Sequence, residues 1–555
     1  MKLKKTLKVA KIKLDLEKIF LALFFGVFLL LGNGFLFGHR LQHDYPYAYL
    51  ASDAFQHQTR AQGIKDAGNY RNEPSYIVFG VENATGYYPP VLYHLSVILS
   101  YLSGLEVYDT IYFLVFFFAA IASLVMYLII KSFNKNVALI SLPFSFLVFY
   151  SGLYTGFTFG HWTTIVSQFF LVCVFWYSSR TDLDKSYIFL GIFVAATFMT
   201  HTSETIYAIL YLGLFFIASS IINRKFELTL IRNFIFGAII TLAVAFYYLV
   251  IFKLVWVPRQ PFEFAVSKMW DNPTIYLLDF KLLLIFMAAG IIFSMISLRK
   301  SLVPALAAFS MIVIGNGNYF GFREKAFQLR FLWPVFLSFF IGFGIYQLLK
   351  FLIKEWKASY SVALSVLLAI LIIIPAVPLM PHYSKLESSG LMDPFHWESF
   401  SWLAQNTEKD AKIYFFYGDI YSQDALLRNS KRTHYQVTPE GFVDAIQKKE
   451  IRRYYDSELP GDGGGGAPYR KSFFSFEFKL DEMPAADRNG NQDICRFNYL
   501  VFDKAANQQV LAQYNILIAN ELTKKDYIKP VFQNNYVVIL KNNNPGADCI
   551  EQRNF

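Results

Sequence analysis

The polar chemistry of this chain is spread unevenly around a very apolar body, and that unevenness limits what it can fold into. A lysine-rich start, MKLKKTLKVAKIKLDLEK, leads into the apolar stretch Ile19–Gly38. About seventy residues with only short apolar stretches follow. Apolar runs then recur as far as Met380, and a polar region of about 175 residues closes the chain. Runs of roughly 17–25 apolar residues match the hydrocarbon thickness of a bilayer when helical. The expected class is an α-helical polytopic membrane protein. It divides into a basic segment 1–18, a membrane domain 19–380 with a large loop 39–106, and a soluble α/β domain 381–555. A large polar loop straight after the first membrane helix, with a soluble domain at the end, points to chemistry at a membrane face.

Orientation follows from charge. The net charge is +10, yet the Lys and Arg sit in short clusters between apolar runs. That is the pattern of orienting loop charges, so no nucleic-acid partner is expected. Seven lysines against two acids precede the first apolar run, which places the N-terminus in the cytoplasm. The run has no small-residue cleavage site before His39, so it reads as an uncleaved span. Counting Tyr88–Gly104 as a span would put KSFNKN (131–136) outside and invert every later loop. Treated as a helix at the outer interface, it leaves KSFNKN, SSRTDLDKS, INRKFELTLIR, LRKS and KFLIKEWK inside, four of them net basic. The expectation is eleven spans in the plasma membrane with the C-terminal domain extracytoplasmic.

With this orientation, the outer side collects Asp44, Asp53, His57, Arg60, His94, His161, His201, Glu204, Glu263, Asp271, Arg323, Glu324, Lys325 and Arg330. Ionisable groups at the membrane boundary are costly and mark functional candidates. Residues 50–67 read as a helix with Ser52 as N-cap and Gly68 as C-terminal stop. Asp53, His57, Arg60 and Ile64 then share one face, which suits a base, a proton shuttle and a phosphate ligand. An ordinary i,i+4 Asp–His pair on a solvated helix is the plain alternative. Gly86-Tyr87-Tyr88-Pro89-Pro90 makes a rigid entry to the next helix. Thr200–Glu204 interrupts an apolar stretch as a tight outer turn, offering His201 and Glu204 as a second proton-transfer or metal-binding pair. Arg323, Lys325 and Arg330 in GNGNYFGFREKAFQLR offer donors to an anionic lipid phosphate.

The terminal region alternates elements: HWESFSWLAQN and AANQQVLAQYNILIAN as helices, KIYFF and YLVFD as buried strands, and PVFQNNYVVIL with strand character. GDGGGGAP (461–468) lacks the Gly-Lys-Ser/Thr of a phosphate-binding loop. DRNGNQD (487–493) alternates oxygen side chains as a calcium loop does, but has no Glu at the twelfth position. Cys173 lies in an apolar run, and Cys495 and Cys549 can pair if their region faces an oxidising compartment.

The long loop after the first span, its helix SDAFQHQTRAQGIKDAG and the following Tyr-Pro-Pro resemble the GT-C superfamily of polytopic glycosyltransferases. The resemblance covers roughly residues 10–380 and implies an enzyme that takes sugars from polyprenyl-phosphate donors. The acceptor would be a lipid, glycan or protein at the outer face. It places Asp53 as the catalytic acidic residue; the residues themselves add His57, His201 and Glu204 as catalytic candidates. Arg60, His94, His161, Arg323, Lys325 and Arg330 are then substrate ligands. A divalent cation, magnesium or manganese, held through Asp53 is compatible with this chemistry, although no metal-ligand set is assigned. Oligosaccharyltransferases carry a second acidic pair in the next outer loop, and here that loop is GLYTGFTFGHW with no acid. Their WWDxG motif is also missing, since MWDNP (269–273) lies in the membrane domain. Transfer of a single sugar fits better than transfer of a whole glycan to Asn. Alternatives are a non-catalytic scaffold of the same fold and, with less support, a transporter. The latter favours internal repeats and broken helices meeting at mid-membrane, and no repeat is evident.

Overall fold

The computed structural model describes residues 15–78, 86, 88–150, 155–180, 185–253, 281–315, 332–353, 355–376, 390–436, 453–455, 491–493, 496–505 and 509–545. Arg323, Lys325, Arg330, Glu263, Asp271, Cys495, Cys549 and the glycine run 461–468 lie outside them.

The membrane domain begins with α1 (Leu16–Leu31), α2 (Ser52–Ala67), α3 (Val91–Ser103) and α4 (Val107–Phe133). α5 (Lys135–Ser141) is continued by a 3₁₀ stretch over Leu142–Phe149, followed by the short α6 (Thr155–Thr158). Then come α7 (Trp162–Ser178), α8 (Ser186–Phe198), α9 (Glu204–Asn223) and α10 (Leu228–Ile251). α11 (Lys281–Ile296), α12 (Leu298–Gly315), α13 (Trp333–Leu352) and α14 (Ala358–Ala376) complete it. Among the described residues, five helices are long and apolar enough to cross a membrane: Leu16–Gly34, Val107–Phe133, Glu204–Asn223, Leu228–Ile251 and Trp333–Leu352. Shorter apolar helices accompany them, so the fold is that of a helical membrane protein, while a count of eleven crossings goes beyond these lengths.

Two polar anchors fix how α1 and α4 run. At one end, Glu17 accepts from Lys131 and Lys135, each at 2.5 Å, and from the Tyr127 hydroxyl at 2.7 Å. At the other, the Asp109 carboxylate holds His43 Nδ1 at 2.7 Å and the His43 backbone N–H at 3.0 Å. The two helices are therefore antiparallel along their length. The 13-residue α3 packs on α2 and α4, with the Ser96 hydroxyl 2.9 Å from that of Thr110, next to Asp109. Glycine allows the closest helix contact. A Cβ on Gly290 of α11 would stand 2.6 Å from the Phe340 carbonyl carbon of α13, so the backbones meet directly, as small residues permit where no hydrophobic effect drives association.

The terminal domain holds α15 (Pro394–Asn406), α16 (Asp424–Leu427) and α17 (Gln509–Leu522) around a five-stranded sheet of order β2-β1-β5-β7-β6. β1 (Lys412–Phe415) lies parallel to β2 (Thr433–Gln436) and to β5 (Tyr499–Asp503). β6 (Ile528–Gln533) and β7 (Val537–Asn542) add an antiparallel edge. The α/β character expected of this region is present. PVFQNNYVVIL has the expected strand character and forms a hairpin, because Asn534 Oδ1 accepts from the Tyr536 and Val537 amides and turns the chain. The tail of the calcium-like segment, Asn491–Asp493 (β4), pairs antiparallel with Arg453–Tyr455 (β3).

Candidate functional site

The site is built where the start of α2 meets the loop that enters α7. Ala51 is extended at φ −145 and holds the cap position, so Ser52, expected as the cap, is instead the first helical residue. Gly68 ends the helix in the left-handed region at φ 67, as expected. An aromatic floor sets the height of α2: Tyr49 packs edge-on against Trp162, Phe55 and Tyr112 at 4.9, 5.0 and 5.7 Å. The Tyr49 hydroxyl donates to the Tyr108 carbonyl at 2.7 Å. The Leu50 amide donates to the Thr158 carbonyl at 2.9 Å, which ties the entry of α2 to the loop before α7.

Gly160 makes that junction tight. Its φ of +95 favours glycine, and a Cβ there would stand 2.6 Å from the Asp53 carbonyl carbon. The next residue, His161, is thereby brought close enough to act on Asp53. The Asp53 side chain reaches the solvent-exposed rim. Desolvation by the surrounding protein raises its pKa above the ordinary value, and the charge of His161 pulls it back.

His57, one turn further, is enclosed. Burial, then the charges of Arg60, His161 and His201, push its pKa down to about 3, against the opposing pull of the Gly160 carbonyl. The ring is therefore neutral near pH 7. With its proton directed at the Gly160 carbonyl, Nδ1 accepts from the Tyr93 hydroxyl at 2.8 Å. Arg60 pairs with Glu73 and lies 5.2 Å from the centre of the Tyr88 ring. From the turn before α9, His201 Nδ1 lies 2.7 Å from the Ser203 hydroxyl and 3.7 Å from the fully buried Glu204 carboxylate. The Val91 amide donates to the Met199 carbonyl at 3.1 Å, which holds that turn against the start of α3. His94 packs edge-on to Tyr70 at 5.6 Å, and burial lowers its pKa.

The structure thus gathers Asp53, His57, Arg60, His161, His201 and Glu204, drawn from three separate connections. The partner acting on Asp53 is His161, not the i,i+4 neighbour His57 that the helical face favoured. Sequence reasoning also missed Tyr93, Gly160, Glu73 and the His43–Asp109 pair. No spacing singles out Tyr93 among 36 tyrosines, and the partners His43 and Asp109 are 66 residues apart. Among the described residues, no group of three or more His, Cys, Asp or Glu is placed to hold a metal ion.

No family description and no curated protein matches the sequence. Solved structures do. ArnT from Cupriavidus metallidurans in the apo state matches with a TM-score of 0.53 at 12% identity, over 96% of this chain and 100% of that one. The apo oligosaccharyltransferase of Archaeoglobus fulgidus matches with 0.51 at 12% identity, over 90% of this chain and 72% of that one. The arabinofuranosyltransferase AftD from mycobacteria matches with 0.54 at 11% identity, over 96% of this chain but 40% of that one. All three are GT-C glycosyltransferases, and the likeness runs through both the membrane domain and the terminal domain; the fold of this chain is the GT-C fold.

Proposed function

We propose that this chain is an integral membrane glycosyltransferase that moves a sugar from a polyprenyl-phosphate-linked donor to a lipid, glycan or protein acceptor at the outer membrane face. The observation that carries this reading is Asp53 at the solvent rim, raised by desolvation and faced by His161, at the start of a helix locked from below. A carboxylate with a raised pKa is a better general base near neutral pH. In the proposed reaction the acceptor hydroxyl gives its proton to Asp53 as its oxygen bonds to the anomeric carbon. The bond from that carbon to the phosphate oxygen breaks, and the polyprenyl phosphate leaves with the electron pair. Arg323, Lys325 and Arg330 are proposed to hold that phosphate, since charge-assisted donors are strongest toward it. His201 and Glu204 are proposed to orient a substrate hydroxyl. His57, neutral and held by Tyr93, supports α2 and transfers no proton in this scheme.

Asp53→Asn keeps the size of the side chain and removes the base. Purified variant and wild type should be compared with a radiolabelled polyprenyl-phosphate sugar and a mixture of envelope acceptors. Transfer by the wild type with none by the variant, at equal thermal stability, is the expected result. Full transfer by Asp53→Asn would remove this residue from the chemistry, and no transfer by either would favour a scaffold of the same fold.

A further inference from the structure

The terminal domain does not merely follow the membrane domain; it grips the site helix. Arg428, in the 3₁₀ turn directly after α16, donates from Nη1 to Gln56 Oε1 at 2.7 Å. Gln56 lies three residues after Asp53, one helical turn away and next to His57. The guanidinium is fixed on its own side: Nη2 meets Asp424 Oδ2 at 2.5 Å, and the other Asp424 oxygen meets His434 Nε2 at 2.8 Å. His434 is held in turn through Nδ1, 3.0 Å from the Arg432 carbonyl. Burial would raise the Asp424 carboxyl, but Arg428 and His434 override it and bring it down to about 2. The Arg428 side chain is only 4% exposed. A desolvated, ion-paired guanidinium is a stiff donor, because its planar fork loses little freedom per bond.

A second contact lies at the far end of the same helix. Lys431 Nζ meets Asp66 Oδ2 at 2.8 Å, and Asp66 also accepts from the Tyr76 hydroxyl at 2.9 Å. Lys431 is a third exposed, so this ion pair is solvent-screened and weakly orienting. The two contacts differ in kind. Both dock the domain, but only the first touches the turn that carries the carboxylate.

Resting on the proposed transfer reaction, we infer that Arg428 is a positioning residue: through Gln56 it fixes the first turn of α2, and so the placement of Asp53 against the acceptor hydroxyl. Misplacing a reacting group by a fraction of an ångström to an ångström lowers the rate of the chemical step and leaves ground-state binding nearly intact. The terminal domain then completes the catalytic geometry of the membrane domain.

The test uses the full-length protein in detergent and the partner on α2, because removing Arg428 strands Asp424 and risks unfolding the domain. Gln56→Leu keeps the Arg428–Asp424 pair and removes only the acceptor. Lys431→Met removes the distal contact and serves as the control. Gln56→Leu should lower kcat about ten-fold or more with KM unchanged, and Gln56→Glu should restore most of it. Hydrogen exchange should rise at residues 53–57 in Gln56→Leu and only near Asp66 in Lys431→Met, whose kcat should stay near wild type. If Gln56→Leu transfers sugar at the wild-type rate, or both variants lose kcat equally, the positioning role is overturned while the proposed reaction stands. A wild type that transfers nothing, whatever the exchange pattern, overturns the reaction and this role together.

Discussion

The backbone of Gly160 lies against the first turn of α2 so closely that a methyl group on it would stand 2.6 Å from the Asp53 carbonyl carbon. Such a distance leaves no room for any other residue unless the helix or the loop moves, and the φ of +95 adds backbone strain for a side chain. Holding a non-glycine residue in such a conformation costs about 1–3 kcal/mol. Gly160→Ala should therefore shift His161 away from Asp53 and lower transfer about ten-fold or more, with a modest loss of thermal stability. A variant of wild-type activity would show that the contact is incidental to the reaction.

The charge of His161 opposes the desolvation that raises Asp53. A general base works only when deprotonated, so kcat/KM should fall as pH drops through the Asp53 pKa, at a pH above the ordinary aspartate range. In His161→Asn the opposing charge is gone, and this acid limb should move to still higher pH. Rate profiles of the two proteins decide it. An unmoved limb would mean that His161 does not govern Asp53.

Much of this was legible in the sequence because the bilayer imposes a strong length rule. The first apolar run, Ile19–Gly38, falls on α1, and the turn Thr200–Glu204 that interrupts the apolar pattern ends where α9 begins. The Asp53 helix and its Gly68 stop were legible from local chemistry, since a left-handed C-cap has few solutions other than glycine. The site was legible only in part. Residues 53 and 57 share a helical face, but the fold gives His57 to Tyr93 and Gly160, and His161 to Asp53. Those partners stand from 36 to about a hundred residues apart in sequence, where no periodicity carries information. Arg428 and Gln56 are 372 residues apart. The strand character of PVFQNNYVVIL was legible, but its turn was not, because Asn534–Asn535 breaks the apolar run without the glycine that marks a tight turn.

Sidedness can be tested from the two anchors of α1 and α4. Glu17 joins Lys131 and Lys135 at one end of the bundle, while Asp53 and the terminal domain lie beyond the other, at the His43–Asp109 end. Single cysteines at Ser132 and Lys409, both exposed, should label from opposite faces of intact cells with an impermeant maleimide. Cys495 and Cys549 would first be replaced by serine and the buried Cys173 by alanine. Lys409→Cys should label from outside, and Ser132→Cys only after permeabilisation. Labelling of both from one side would break the topology on which the outer-face reaction depends.

The terminal domain carries its own pH dependence. His396 Nδ1 lies 2.5 Å from Asp393 Oδ2, and Nε2 lies 3.3 Å from Asp503 Oδ2, so one imidazolium joins the first turn of α15 to the end of β5. Burial would lower its pKa, but the hydrogen bond to Asp393 and the nearby Asp503 carboxylate override that and push it up to about 9, from an ordinary 6.5. A group with a raised folded-state pKa stabilises fully below its unfolded pKa, and that contribution is lost as pH rises through the folded value. Domain stability should therefore fall between about pH 6.5 and 9, by an amount on the order of 3 kcal/mol. His396→Gln cannot become cationic. It should be less stable than wild type at pH 6 and lack the alkaline slope, while Asp53-dependent transfer at pH 7 should fall only as far as the domain loosens. Denaturation of the two proteins from pH 6 to 10, followed by the near-ultraviolet signal of the domain, measures this directly. Parallel stability curves across that range would show that His396 is not charged in the folded domain.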